Sequence, residues 1–220
     1  MAPLTTLFDL DGTLVDTTVV HALCWHDALR AHDQRVPMAV VHRAIGMGSS
    51  ELLEHLLGDD RDRDQDDAIS GAHRILYRQH WERLLPLPGA VDLVRACADR
   101  GARVVLASSA QPDELAMLRR ILDVEGVLHA VTGAADVDAA KPAADLIHVA
   151  LEKAAAEPAD AVFVGDAVWD AIAAEKAGVR FVGVACGAAS AAELQEAGAL
   201  EVWDDPADLL RNLDRSRLGG

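Results

Sequence analysis

Two aspartates separated by one residue give this sequence its clearest chemical signal. Asp9 and Asp11 lie at the end of an apolar stretch, within the run FDLDGTLVD at Phe8–Asp16, and Gly12 follows them directly. Residues i and i+2 of a strand point the same way, so both carboxylates would project into one site where the strand ends. A glycine there lets the backbone turn sharply, so that the following amides can face an anion. One carboxylate could then attack a substrate while the other handles the proton, and a cation would make two close acids tolerable.

Hydroxyl and ammonium groups follow at two later points of the chain. The apolar run RVVLASS ends in Ser108 and Ser109, whose hydroxyls can hydrogen-bond phosphate oxygens. Lys141 stands before Pro142 at the expected start of a helix, and it is one of only three lysines in the chain. A compact ammonium suits a phosphoryl oxygen, so we assign Lys141 to phosphate binding.

Another acidic pair ends a further apolar run. The segment VFVGDAVWD brings its strand to an end at Asp166 and places Asp170 four residues later. Open parallel sheets bind ligands at the carboxyl ends of their strands, so these acids are expected beside Asp9. Together they offer the hard oxygen ligands that Mg²⁺ prefers.

The order of patterns along the chain predicts how these residues are positioned. From residue 86 onward apolar strands alternate with helices, which is typical of a parallel sheet covered on both faces. Residues 17–85 carry only helical patterns. We therefore predict a Rossmann-like α/β core formed by residues 1–16 and 86–220, with an inserted α-helical cap at 17–85. The first helix predicted in the cap ends near His32. Three further helices are predicted over Met38–Ile45, Ser50–Leu57 and Asp67–Leu84.

Composition limits the partners. The net charge of −16 argues against nucleic acid and anionic membrane surfaces, and an anionic substrate would need concentrated positive charge in its site. No run approaches the roughly 18 apolar residues of a membrane helix. Cys24, Cys97 and Cys186 are odd in number and widely spaced, as in proteins of a reducing compartment. We expect a cytoplasmic protein that is a monomer or a homodimer and acts on a small phosphorylated metabolite.

The ordered motifs FDLDGTLVD, LASS, KP and GDAVWD resemble the haloacid dehalogenase superfamily, in the branch of phosphoglycolate phosphatases and β-phosphoglucomutases with an α-helical cap. The resemblance covers nearly the whole chain. It implies that Asp9 is the nucleophile of an aspartyl-phosphate intermediate and that Asp11 is the general acid and then the base. A general acid must be protonated when it acts, so a raised pKa is expected for Asp11.

The resemblance also implies a ligand set. Ser108, with Ser109 beside it, and Lys141 would hold phosphoryl oxygens. Mg²⁺ would take a carboxylate oxygen of Asp9, the backbone carbonyl of Asp11 and a carboxylate oxygen of Asp166. Asp170 would order Lys141 or a metal-bound water.

Single residues separate the branches of the family. Dehalogenases lack the second aspartate, and the Schiff-base lysine of phosphonate hydrolases has no counterpart in residues 17–85. Mutases carry a basic residue soon after the cap glycine, whereas here the run from Gly46 is GMGSS. Phosphomonoester hydrolysis is therefore the favoured activity, and sugar-phosphate mutase is the alternative. A catalytically silent binding protein is disfavoured because all the core motifs are complete.

The cap is expected to select the substrate. Arg43 is its strongest single candidate, because a bidentate donor could fix a second anionic group. Trp169, between Asp166 and Asp170, could form a wall of the site or pack between helix and sheet. The cap residues that could face the core site are His21, Trp25, His42, Arg43 and Met47.

Overall fold

The computed structural model describes residues 4–137 and 139–219, and its central feature is a parallel β-sheet. In the described residues the sheet has six strands in the order β3-β2-β1-β4-β5-β6, all parallel. The prediction of a Rossmann-like α/β fold is confirmed. The strands are β1 Thr5–Phe8, β2 Arg103–Ala107, β3 Ala130–Thr132, β4 Ala161–Gly165, β5 Arg180–Val184 and β6 Glu201–Trp203.

The central strands are buried on both faces. Leu7 and Phe8 of β1 pair in register with Phe163 and Val164 of β4. Leu7 and Phe163 belong to one apolar cluster, and Phe8 and Val164 belong to another on the opposite face. Alternate residues of a strand point to opposite faces, so continuous apolar runs are what a sheet covered on both sides requires.

Six helices of the described chain cover the two faces of the sheet or follow its last strand. The sequence pattern predicts three of these helices to begin at Ala143, Asp170 and Asp205. They begin instead at Asp145 (α7), Val168 (α8) and Pro206 (α10). The carboxylate of Asp170 accepts a hydrogen bond from the backbone N–H of Ala167 at 3.0 Å, which stabilises the first turn of α8. The helices are α5 Ala90–Asp99, α6 Pro112–Leu122, α7 Asp145–Ala154, α8 Val168–Lys176, α9 Ala191–Glu196 and α10 Pro206–Arg211.

Four helices lie between β1 and α5 and share an apolar cluster of their own, which includes Trp25, Leu53 and Ile69. The fourth was predicted to reach Leu84 but ends at Arg78, and a short 3₁₀ turn follows at Trp81–Arg83. The helices are α1 Thr18–Ala31, α2 Met38–Ala44, α3 Ser49–Leu57 and α4 Asp66–Arg78. The apolar pattern continues beyond Arg78 because Trp81 and Leu84 pack on the core of the sheet domain.

The two chain segments that enter and leave these helices lie side by side. Val15 pairs with Pro86 in an antiparallel bridge, and the N–H of Asp16 donates to the carbonyl of Leu85 at 3.0 Å. The division into core and cap at 16/17 and 85/86 stays a prediction, and these contacts lie at those positions. None of the helices in the described part of the chain is long and apolar enough to cross a bilayer.

Candidate active site

Three adjacent strands bring their polar ends together at one edge of the sheet. Asp9 directly follows β1, Ser108 follows β2 and Asp166 follows β4, and these strands are neighbours. The N–H of Asp9 donates to the carbonyl of Val164 at 2.9 Å, so the pairing of β1 with β4 extends to the aspartate. The parallel topology therefore places these side chains where such sheets bind ligands.

Lys141 forms the positive centre of this cluster. Its Nζ lies 2.7 Å from Oδ1 of Asp9 and 2.8 Å from Oδ1 of Asp170, and all three side chains are buried. Burial alone would lower the pKa of Lys141, but the charges of Asp170 and Asp9 raise it above the usual value. Lys141 is therefore a buried ammonium held between two carboxylates.

Three buried carboxylates surround a space suited to a divalent cation. One oxygen each of Asp9, Asp166 and Asp170 can lie within 4.8 Å of one another. Burial, reinforced by the charge of Asp170, raises the pKa of Asp166 to about 7, and burial raises the pKa of Asp9 well above its usual range. Because Lys141 balances only part of this charge, the oxygen donors fit a hard divalent ion.

The carboxylate of Asp166 is fixed by two donors. The hydroxyl of Thr13 donates to Oδ1 at 2.8 Å, and the N–H of Ala188 donates to Oδ2 at 2.8 Å. Thr13, two residues after Asp11, was not among the sequence candidates. Its role follows from the turn that Gly12 allows, since that turn brings the hydroxyl back to the end of β4.

Gly12 adopts a backbone conformation that favours glycine, with φ of +76°. A Cβ at this position would lie 2.3 Å from Oγ1 of Thr18 and 2.6 Å from Oδ2 of Asp166. The turn after the two aspartates therefore needs glycine both for its backbone angle and for space.

We expect Gly12→Ala to lower the free energy of unfolding more than Gly101→Ala. Gly101 has a similar φ of +84°, but no atom would lie within 4 Å of its Cβ. Gly101→Ala should cost about 1–2 kcal/mol for the left-handed backbone alone. Gly12→Ala should cost about 1–3 kcal/mol more, because Asp166 must move. Urea unfolding of both variants measures the difference, and equal losses would contradict the close contact.

Asp11 differs from its sequence prediction in its electrostatics. Its Oδ1 lies 3.3 Å from Nε2 of His21, and the hydroxyl of Ser108 donates to its Oδ2 at 3.3 Å. Burial would raise the pKa of Asp11, but the hydrogen bond and charge of His21 outweigh burial and hold this pKa below the usual value. The prediction of a raised pKa for Asp11 is therefore wrong, because His21 of the cap stabilises the ionised carboxylate.

His21 also contacts a second acid. Its Nε2 lies 3.3 Å from Oε1 of Glu114, in the first turn of α6. Burial alone would lower the pKa of His21, but the hydrogen bonds that Asp11 and Glu114 accept from it raise this pKa to about 10. Its Nδ1 lies 3.1 Å from Nε2 of His73. Burial holds the pKa of His73 well below the usual value. A charged His21 thus donates to a neutral His73.

A cavity of about 70 Å³ separates the cap helices from this cluster. Ser109 lines it, and its buried hydroxyl has no hydrogen-bond partner in the described part of the chain. Trp25 and Met47 line the cap side, as the sequence predicts. Asp9, Asp11, Lys141, the hydroxyl of Ser109 and these cap residues therefore face one cavity.

The model of the haloacid dehalogenase-like hydrolase family matches residues 5–178, which include all four motifs. The chain belongs to the haloacid dehalogenase-like hydrolases. It is 31% identical over 222 residues to a phosphoglycolate phosphatase of Rhodospirillum rubrum, covering 94% of this chain and 89% of the relative. It is 27% identical to a pyrophosphatase of Bacillus pumilus, with 82% of each chain covered.

Solved structures agree with the membership in this hydrolase family. A hydrolase from Pseudomonas syringae superposes with a TM-score of 0.91 at 31% identity, covering 96% of this chain and 98% of that one. A β-phosphoglucomutase from Clostridium difficile shares the fold, with a TM-score of 0.82 at 16% identity and coverage of 99% and 97%. The predictions of this family and of an enzyme are confirmed.

Two of the cap candidates in this hydrolase lie outside the cavity. Arg43 is exposed, and it lines a surface groove with His42, Val19 and Met38. The sequence prediction that Arg43 and His42 face the core site is wrong, because α2 buries Val41 and Ala44 and turns the two basic residues to the opposite side. The backbone of Arg43 does meet the core, where its carbonyl accepts a hydrogen bond from Nε1 of Trp169 at 3.1 Å.

Small residues let the cap of the hydrolase approach its core closely. A Cβ at Gly46 would lie 2.8 Å from Cβ of Ala167, and one at Gly48 would lie 2.3 Å from Cβ of Ala140. The N–H of Gly48 donates to the carbonyl of Lys141 at 3.2 Å. The GMG run therefore lies directly against the segment that carries the buried Lys141.

Sequence reasoning missed Glu114 and His73 as members of the site. Glu114 was hidden because an acid in the first turn of a helix is ordinary, since it favours the helix dipole. A usable signal existed, because α6 follows the serines at the end of β2 and its first turn must lie at the same sheet edge. His73 offered no such signal, because α4 is distant in sequence from every motif.

Proposed function

We propose that this hydrolase removes the phosphoryl group of a small phosphomonoester through an aspartyl-phosphate on Asp9. The observation that carries the proposal is the convergence of Asp9, Asp11 and Lys141 on one cavity between cap and core. The ammonium of Lys141, 2.7 Å from Asp9, can bind an equatorial oxygen of a phosphoryl group that is attacked there. The named phosphatase among the relatives at 31% identity supports the same activity.

The first step transfers the phosphoryl group to the enzyme. A carboxylate oxygen of Asp9 attacks phosphorus, the bond from phosphorus to the ester oxygen breaks, and Asp11 gives a proton to the departing alcohol. Because Asp11 is ionised in the resting site, this proton comes from the charged imidazole of His21, whose Nε2 lies 3.3 Å from Oδ1 of Asp11. Ser108 and Ser109 hold phosphoryl oxygens beside Lys141.

The second step regenerates Asp9. A water molecule attacks phosphorus, Asp11 takes its proton, and the bond from phosphorus to Asp9 breaks to release inorganic phosphate. The close cap limits the water that reaches the intermediate, because the Gly46–Gly48 segment lies against the core.

We assign the divalent ion as Mg²⁺. Carboxylate oxygens of Asp9 and Asp166 and the backbone carbonyl of Asp11 would hold it, and Asp170 orders Lys141, which it contacts at 2.8 Å. When bound, the ion supplies positive charge that neutralises a phosphoryl oxygen. The raised pKa values of Asp9 and Asp166 and the burial of both carboxylates support a cation at this place.

Removal of the metal should abolish most turnover. We expect a chelator to lower phosphate release from a panel of phosphomonoesters by about 10²–10³-fold, and added Mg²⁺ to restore it. Unchanged turnover in the chelator would contradict a metal-dependent reaction. If no phosphate appears but β-glucose 1-phosphate becomes the 6-phosphate in the presence of a bisphosphate primer, the enzyme is the mutase instead.

Binding of Mg²⁺ should also stabilise the fold in a pH-dependent way. The folded pKa of Asp166, about 7, lies above its unfolded value near 3.9, so its protonation contributes stability that is full at low pH and lost as the pH rises through 7. Metal competes with that proton. Mg²⁺ should therefore raise Tm more at pH 8 than at pH 5, and Asp166→Asn should remove the difference.

We place the enzyme in the cytoplasm, as a monomer or a homodimer. Cys24, Cys97 and Cys186 are free thiols, which supports a reducing compartment. Its partner is a small phosphorylated metabolite rather than nucleic acid or a membrane, in keeping with the net charge of −16.

A further inference from the structure

The positively charged side chains of the cavity already pair with carboxylates. Among the described residues that line it, Lys141 and His21 are the positively charged side chains. Lys141 contacts Asp9 and Asp170, and Nε2 of His21 lies 3.3 Å from both Asp11 and Glu114. Apart from the phosphoryl group, a substrate would therefore find no cation in these residues to pair with a second negative group.

Glu114 adds a carboxylate to the cavity beside Asp11; burial raises the pKa of Glu114, whereas the hydrogen bond and charge of His21 favour its ionised form. His21 contacts its Oε1, and the carboxylate lines the cavity with its side chain only 12% exposed. Like charges at close range in a poorly hydrated site repel strongly, so a second carboxylate near Glu114 is disfavoured. A hydroxyl can instead donate a hydrogen bond to this acceptor.

Apart from Ser49 and His73, the remaining cap wall carries no polar side chain among the residues that the structure describes. Trp25, Ile45, Met47 and Leu52 line it, and the Trp25 ring is fixed by stacking on His73 with ring centroids 4.2 Å apart. Such a wall contacts the carbon face of an alcohol. These side chains offer an ammonium no hydrogen-bond acceptor in return for its lost hydration.

We propose that the leaving group of this phosphatase is a small, uncharged, hydroxyl-bearing alcohol whose free hydroxyl donates to Glu114, and that esters with a carboxylate in the leaving group are discriminated against. This inference rests on the proposed phosphomonoester hydrolysis. It separates the enzyme from the phosphoglycolate phosphatases among its relatives, although they share its family. Glu114 is thus a specificity-determining residue, supplied by the core rather than by the cap.

Three esters of nearly equal size test the inference on the wild-type enzyme with Mg²⁺. 2-Hydroxyethyl phosphate, 2-phosphoglycolate and phosphoethanolamine carry an uncharged, an anionic and a cationic leaving group on the same two-carbon frame. We expect kcat/KM to be at least about 10-fold higher for 2-hydroxyethyl phosphate than for either other ester. Equal or faster hydrolysis of 2-phosphoglycolate, or of phosphoethanolamine, would overturn the inference while leaving the phosphatase proposal intact. No hydrolysis of any ester would reject the phosphatase itself.

A variant that removes only the charge of Glu114 tests whether this charge causes the substrate preference. Glu114→Gln should raise kcat/KM for 2-phosphoglycolate relative to 2-hydroxyethyl phosphate by about 10-fold, because the repelling charge is removed. Asp113→Asn is the matched control, since Asp113 lies in the same helical turn but faces solvent, where it pairs with Arg78. An unchanged ratio in folded Glu114→Gln would overturn the role of Glu114. The wild-type comparison decides the substrate class even if that variant does not fold.

Discussion

Asp9→Asn is expected to lower kcat for every phosphomonoester substrate by at least about 10⁴-fold, because an amide oxygen cannot replace the attacking carboxylate. The fold should persist, since Lys141 keeps its contact with Asp170 at 2.8 Å. Phosphate release measures the loss, and acid-quenched single turnovers of the wild-type enzyme should yield a phosphorylated peptide that contains Asp9. Retained turnover in the variant, or phosphate on another residue, would rule out Asp9 as the nucleophile.

Asp11→Asn provides the matched control for that experiment. It keeps the nucleophile and removes only the group that moves the proton, so its loss should depend on the leaving group. An alkyl phosphate, which needs a proton on departure, should be slowed by about 10²–10⁴-fold. p-Nitrophenyl phosphate should form the phospho-enzyme with a smaller loss, because nitrophenolate leaves without a proton. An equal loss for both esters would contradict the acid role of Asp11.

Lys141→Met should strongly lower the free energy of unfolding. Without the ammonium, Asp9 and Asp170 face each other in a buried site that also contains Asp166. Removing one partner of a buried ion pair typically costs about 3–5 kcal/mol, because the remaining charge has no compensation. The free energy of unfolding in urea at pH 8 measures it. Phosphate release should fall as well, since the phosphoryl oxygens lose their cation.

The pH dependence of that loss distinguishes charge from packing. Protonation neutralises the unpaired carboxylates, so the deficit of Lys141→Met should shrink between pH 8 and pH 5. Lys153→Met is the surface control, because Lys153 pairs with Asp136 at a part-exposed position. It should cost less than about 1 kcal/mol at both pH values. A deficit of Lys141→Met that is independent of pH would indicate lost packing rather than uncompensated charge.

The parts of the site that follow strand ends could be predicted from sequence. Asp9 and Asp166 end apolar runs that pair in one parallel sheet, so period and topology together place them at one edge. The pKa of Asp11 could not be predicted, because it depends on His21, which reaches Asp11 only when a cap helix packs against the core. Tertiary contacts determine such a pKa shift, and these contacts cannot be predicted from the residues next to Asp11 in the sequence.

The orientation of α2 also could not be predicted from the sequence. Arg43 has the right chemistry for an anion, but whether it faces the cavity depends on which side of a seven-residue helix is buried. Val41 and Ala44 decide that side through packing with other cap helices. A short helix with apolar residues on more than one side leaves this choice open until its neighbours are placed.

The hydrogen bond from the indole of Trp169 to the carbonyl of Arg43 makes this residue a natural optical reporter. Trp169 belongs to α8 beside the acidic cluster, whereas its acceptor lies at the end of α2 in the cap. Separation of the two helices would transfer the indole N–H from a protein carbonyl to water, and the fluorescence of an indole is sensitive to that change of surroundings. The emission of Trp169 therefore follows the distance between cap and core without an added label.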